Sequence, residues 1–280
     1  MTLSLMPQTF DPGYVGEPFL TLCDQAPAAP VYPYDAFRVE WGPIFHRGRL
    51  DGTARLLCIG QDPAQHEAVV RRILVGTAGH RVQGFLAKLG LDRSYVMVNT
   101  FLYSVYGQSG GNQHVSDPPI VQYRNRWLSA LLAQGAIEAV VAFGSLADQA
   151  WRDFLQDPAN AAYKALAYQH VPHPTSPEGT GGTPAQIAAA TTAMLVQWNA
   201  ALQVLRSAVT QPDAARQFVA YGATFLAAEL PPIPAFDLPA GTPAWMQGDS
   251  GWATRTGTTA ALKRRTITVQ VPDGIVPATP

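Results

Sequence analysis

The chain has 280 residues, 47% hydrophobic and 14% charged, which is enough for one large domain with a sizeable buried core. The 19 Lys and Arg against 20 Asp and Glu leave a net charge of −1, so no global basic field exists and contact with nucleic acid has to come from a local patch. Two cysteines, Cys23 and Cys58, cannot build a four-thiolate zinc or iron–sulfur site or a disulfide scaffold.

Residues 1–50 are rich in Pro, Gly and aromatics and read as an irregular N-terminal arm packed on the core, with short helices at 19–24 and 34–37. The first ten residues lack a basic start followed by an apolar stretch, and no apolar run of roughly 18 residues occurs, so neither a signal peptide nor a membrane span is expected. A cytoplasmic protein is the expectation. From residue 55 the pattern sharpens. Residues 55–59 (RLLCI) form a short apolar run stopped by Gly60, as a buried parallel strand requires. Cys58 inside that run reads as a small buried hydrophobe. A helix is predicted over 79–89 with Gly90 as its C-cap, then a strand at 95–99 (YVMVN).

A glycine-rich loop leads to a helix over 118–134, with Ile120, Tyr123, Trp127, Leu128, Leu131 and Leu132 on one face. Residues 139–143 (AVVAF) are a third strand, followed by Gly144 and a helix over 145–154. A fourth, shorter strand at 167–171 runs into a Pro-rich turn, and Thr183 caps a long Ala-rich helix over 184–209. Beyond 210 the chain changes character: a helix is predicted over 218–229, a proline-dominated stretch over 230–243 and an alternating edge strand over 264–271.

Continuously apolar strands alternating with helices imply an α/β fold, a three-layer α/β/α sandwich around a central, mostly parallel four-stranded sheet. Ligands of such sheets sit beyond the carboxyl ends of the strands. That rule selects the stretch from Gly60 to Pro63, then Asn99, then His173. An Asp-Pro turn or a His before Pro is, by itself, more readily a structural feature than a reactive one, and a strand-end Asn is as readily either. Three polar groups placed after three separate strands point at a single crevice, which solvated loops do not explain.

The quoted residues resemble the uracil-DNA glycosylase superfamily. Ile59-Gly60-Gln61-Asp62-Pro63 is similar to its water-activating loop, and Leu74-Val75-Gly76-Thr77-Ala78-Gly79 to an element of its iron–sulfur branch. The strand ending in Asn99 resembles the one that carries the uracil-reading Asn, and residues 139–147 (AVVAFGSLA) a late strand and Gly turn. His173-Pro174-Thr175-Ser176-Pro177 is similar to the second catalytic motif. The match spans roughly residues 55–205 in order; each element is weakly specific, the ordered set strongly so. The resemblance divides the chain into the arm (1–50), a catalytic domain (51–210) and a C-terminal extension of unassigned role (211–280).

The resemblance implies a monofunctional, monomeric glycosylase that flips uracil out of DNA, hydrolyses its N-glycosidic bond and releases free uracil. Asp62 would position or deprotonate water and His173 would donate to uracil O2 as charge develops there. Gly60, Gln61, Leu74 and Asn99 would hold the base, with Asn99 reading N3–H and O4. Thr175, Ser176, Arg81 and His114 would contact DNA, as would Arg71, Arg72 and the Lys263-Arg264-Arg265 triplet. No metal or other cofactor is implied, because the cluster cysteines of the iron–sulfur branch are missing. The chain also departs from the family pattern. Leu74 stands where a base-stacking Phe is expected, leaving Phe85 and Phe101 as aromatic substitutes. Ala64 stands where a Tyr would exclude the thymine methyl. Residues 178–182 carry no bulky wedge, and His114 lacks the basic neighbours of a covalently trapping branch. The alternatives are a glycosylase for thymine or deaminated purines, and a non-turnover protein that holds uracil or abasic sites.

Overall fold

The computed structural model describes residues 16–107, 111–248 and 250–275. Its centre is a sheet of β1 (His46–Gly48), β2 (Leu56–Gly60), β3 (Tyr95–Asn99), β4 (Ala139–Phe143) and β5 (Ala167–Val171), in the order β1-β3-β2-β4-β5. The inner pairings are parallel, as continuously apolar strands demand. The sheet has five strands, not four. The extra one, β1, comes from the arm and pairs antiparallel with β3, His46 opposite Val98. His-Arg-Gly carries no apolar signal, yet His46 and Arg47 are both fully buried.

Two helical layers cover the sheet. Leu57, Ile59, Val96, Val98, Val140 and Ala142 face α1 (Phe19–Asp24), α4 (Pro118–Leu132) and α5 (Ser145–Phe154). The alternate residues Leu56, Cys58, Met97, Val141 and Phe143 face α3 (Thr77–Lys88) and α7 (Pro184–Ala208). Cys58 is fully buried and its thiol is pushed up to about 12 by desolvation, so it is inert. The reciprocal Thr183–Gln186 capping box and Pro184 at the first position start α7 where the sequence places it. The other short helices are α2 (Gln65–Val70), α6 (Ser176–Gly179) and α8 (Ala260–Arg265).

Three expectations need correction. Residues 34–37 form a hydrogen-bonded turn, with the amides of Ala36 and Phe37 donating to the Pro33 carbonyl. Residues 218–229 are irregular except for a 3-10 turn at Ala227–Glu229; Tyr221 and Phe225 instead pack edge-on around Trp198. In place of a strand over 264–271 there are two residues, β7 (Thr268–Val269), paired with β6 (Ala253–Thr254), while Arg264 and Arg265 close α8. Their apolar residues, such as Phe37, Tyr221 and Phe225, dock singly into the core, and the backbone follows those contacts.

The C-terminal extension is tied to the domain in two ways. Ile233, Leu238 and Trp252 bury against Val70 and Val75. Asp237 reaches back to edge strand β1, where Arg47 donates to it at 3.1 Å and the Tyr95 hydroxyl at 2.6 Å, all three groups buried.

Candidate active site

β2, β3 and β4 end level with one another, Gly60 opposite Asn99 on one side and Ile59 opposite Ala142 on the other, and β5 closes the row with Val171 opposite Phe143. Beyond these ends lies a cleft of about 810 Å3, a size suited to a small ligand. Gln61, Asp62, Leu74, His173, Thr175 and Ser176 all line it, so two sequence motifs more than 100 residues apart meet there.

The first wall follows β2. Thr100 donates its amide and hydroxyl to the Gly60 carbonyl, each at 2.9 Å, and the Phe101 amide donates to the Gln61 carbonyl at 2.9 Å. These bonds fix the loop that presents Asp62. Its carboxylate accepts the Val105 amide at 3.0 Å and has no hydrogen-bonded cation among the described residues. Desolvation pushes the Asp62 carboxyl up to about 6; Glu67 adds to the rise, while the Val105 amide, Arg38 and Arg255 oppose it. Asp62 is therefore a carboxylate at neutral pH with a strong appetite for a proton. Sequence reasoning missed Glu67, which is buried and accepts the amides of Ala64 (3.0 Å), Val75 (3.1 Å) and Gly76 (3.4 Å). It thereby staples the Asp62 loop to the Leu74 loop. With alanine at the N-cap, the Ser/Thr-x-x-Glu signature that marks a capping glutamate is missing, so the sequence carried no signal for it.

Leu74 sits at φ 53°, a left-handed conformation that strains a branched side chain. Its Cδ1 and the Asn99 Oδ1 converge on the space where Gly60 lacks a side chain: a Cβ there would lie 3.7 Å from the first and 2.3 Å from the second. Gly60 is required by that close approach. Asn99 is 8% exposed and its Oδ1 has no hydrogen-bond partner among the described residues, but it does not line the large cleft. With Tyr32, Phe45 and Trp127 it lines a small neighbouring pocket, so the structure does not bring it into the open cleft with Asp62 and His173.

The second wall follows β5. His173 Nδ1 accepts the Thr175 amide at 3.3 Å, which leaves the proton of the neutral ring on Nε2. Burial and the nearby Arg81 push the His173 imidazole down to about 4, against the pull of Glu178. The ring is thus a neutral donor at physiological pH. Gly144, at φ 97°, lets the walls touch: a Cβ there would meet Gln61 Oε1 at 2.9 Å and His173 Cβ at 3.2 Å.

The remaining expected residues divide. Arg81 lies beside the second wall, but it donates to the Pro174 carbonyl (2.6 Å) and bidentately to Glu178 (2.6 and 3.0 Å), which braces the His173 loop. Arg71 caps α2 in left-handed conformation and donates to the Trp41 carbonyl at 2.7 Å. His114 pairs with Asp117 at 2.7 Å, packs on Phe37 and does not line the cleft. Phe85 is locked edge-on against Phe143 and Trp198, and Phe101 against Phe37, so neither ring faces the cleft. Among the described residues no group of His, Cys, Asp and Glu is placed to hold a metal ion.

A family model described as the uracil DNA glycosylase superfamily matches residues 47–203, more than half of the chain. The chain belongs to that superfamily. A search of curated proteins finds no match. Membership points to a DNA glycosylase, a hydrolase acting on DNA, and the α/β sheet with its helical layers is the fold such a member has. No helix of the described residues is long and apolar enough to cross a membrane.

Proposed function

We propose that the protein is a monofunctional uracil-DNA glycosylase, acting as a single chain, that releases free uracil and leaves an abasic site. The observation that carries this reading is the pair of oppositely shifted groups facing one cleft, Asp62 near 6 and His173 near 4. At neutral pH the first is an anion and the second an uncharged donor. As the N-glycosidic bond breaks, the sugar gains oxocarbenium character, which the Asp62 carboxylate offsets while orienting water toward C1′ and taking its proton. The electron pair leaves with uracil, and His173 Nε2–H donates to O2 where that charge collects. Asn99, at the end of β3 behind Leu74, would read the base once its buried carboxamide turns into the cleft, Oδ1 toward uracil N3–H and the carboxamide N–H toward O4. Cytosine presents the reverse pattern. Leu74 supplies apolar contact to the base. No lysine lines the cleft among the described residues, so no amine is at hand for the Schiff base of a lyase step.

The test is an oligonucleotide with one labelled uracil, incubated with the protein and split into two assays: chromatography for free uracil and alkali for strand cleavage. Uracil release with cleavage only after alkali is expected. Intact strands at excess protein would overturn the proposal. Ala64, exposed at the cleft, leaves room beside the base, so a thymine arm belongs in the same panel.

A further inference from the structure

We propose that the C-terminal extension completes the DNA-binding face of the cleft, with Arg255 as the contact for a phosphate next to the flipped nucleotide. This rests on the glycosylase reading. The family match ends at residue 203, yet Arg255 lines the same cleft as Asp62 and His173.

Its position is anchored. Trp252 is buried, edge-on against His66 (4.8 Å) and Trp245 (5.7 Å), and β6 pairs with β7 immediately before Arg255. The side chain itself is exposed and has no hydrogen-bonded or ion-paired partner among the described residues.

Behind it stands a second cation. Arg38, 2% exposed, stacks on Trp41 and Tyr106 and donates only to neutral acceptors: Ser104 Oγ at 3.0 Å, the Val105 carbonyl and the Arg264 carbonyl at 3.2 Å. Arg255 bears electrostatically on both Arg38 and Asp62. Two carboxylates act on this pair from a distance, Asp62 and Glu40, the latter accepting the Tyr106 hydroxyl at 3.0 Å, but neither is hydrogen-bonded or ion-paired to Arg38 or Arg255. With Arg38 spent on neutral acceptors, Arg255 is the guanidinium at this rim whose N–H groups are open to an arriving anion.

The opposite wall offers no such group, because the Arg81 guanidinium is held by Glu178 and the Pro174 carbonyl. Uracil is uncharged, so the group that answers an exposed arginine with no bonded anion in a glycosylase cleft is the phosphodiester flanking the base.

The experiment uses the full chain and a fluorescein-labelled oligonucleotide carrying one tetrahydrofuran abasic site, single-stranded and duplex. Anisotropy gives Kd as KCl is raised, and uracil release is assayed in parallel. Arg255→Ala is expected to weaken binding about tenfold at low salt. It should also flatten the slope of log Kd against log salt by about 0.7 on the single strand or about 0.9 on the duplex, one phosphate's worth. Arg255→Lys should restore the slope, and Arg126→Ala, the same charge loss on α4, should behave as wild type. An unchanged slope in Arg255→Ala, with or without weaker binding, overturns the inference. If wild type releases uracil, only this inference falls; if wild type neither binds nor releases uracil, the glycosylase reading falls with it.

Discussion

Asp62, half-buried at the cleft, and Asp237, buried in the C-terminal extension, are desolvated carboxylates with opposite outcomes. Asp237 meets Arg47 at 3.1 Å and the Tyr95 hydroxyl at 2.6 Å, so its charge is compensated on the spot. Asp62 has one backbone amide and two arginines acting from a distance, and its carboxyl rises to about 6. The difference separates an anchor from a reactive group: burial with a partner holds structure, and burial without one stores a tendency to take a proton.

Substitution should split the two roles cleanly. Asp62→Asn is expected to cut single-turnover uracil release by about 10²–10⁴-fold while leaving the thermal midpoint at pH 7 equal or higher, since a desolvated charge is removed. A stability loss as large as the activity loss would erase the contrast. Asp237→Ala should do the reverse. It strands Arg47 in the core and is expected to cost about 3–5 kcal/mol in urea unfolding, with the folded fraction still cleaving uracil DNA. Asp237→Asn, which keeps an acceptor for Tyr95, should cost less.

His173→Ala removes the donor to O2 and should raise the barrier by about 2.7–4 kcal/mol, read as kcat under saturating DNA. The pH profile is the next test. Uracil release at limiting DNA should fall tenfold per unit below about 6, as Asp62 takes up a proton, and His173 should add no inflection until about 4. A second inflection near 6.5 would place the imidazole in an ordinary, solvated setting.

The smallest effect is on stability. Asp62, raised from 3.8 to about 6, binds more protons folded than unfolded over that window, so its contribution falls as pH rises through it. His173, lowered from 6.5 to about 4, binds fewer, so its contribution grows over nearly the same window. The two oppose each other in wild type. Asp62→Asn leaves the histidine alone, and its stability should climb by about 1–2 kcal/mol between pH 4 and 6.5, allowing for a half-solvated cleft.

The parallel strands were legible in the sequence because each is an apolar run closed by a turn residue: YVMVN and AVVAF form β3 and β4 as read, and RLLCI gives β2 shifted by one residue, with Gly60 its last residue instead of its stop. Asp62 and His173 were legible because such strands fix where their loops must go. Edge strand β1 was not, since His46 and Arg47 look like solvent-facing residues until Asp237, 190 positions later than Arg47, is brought beside them. Arg255 gave no signal for the same reason: its place depends on Trp252 finding His66 across the fold. Periodicity reports local burial, and these contacts are neither local nor apolar.

The Arg47–Asp237 pair also bears on how the chain is made. During synthesis the edge strand emerges first, and its guanidinium, which meets the neutral Gln83 side-chain carbonyl at 2.9 Å, has no anionic partner until the ribosome has added most of the remaining protein. The sheet can assemble early around its apolar strands, but its outer border closes only near the end of translation. A nascent chain halted before Asp237 holds an arginine that must stay hydrated, so the last third of the gene governs when the first third settles.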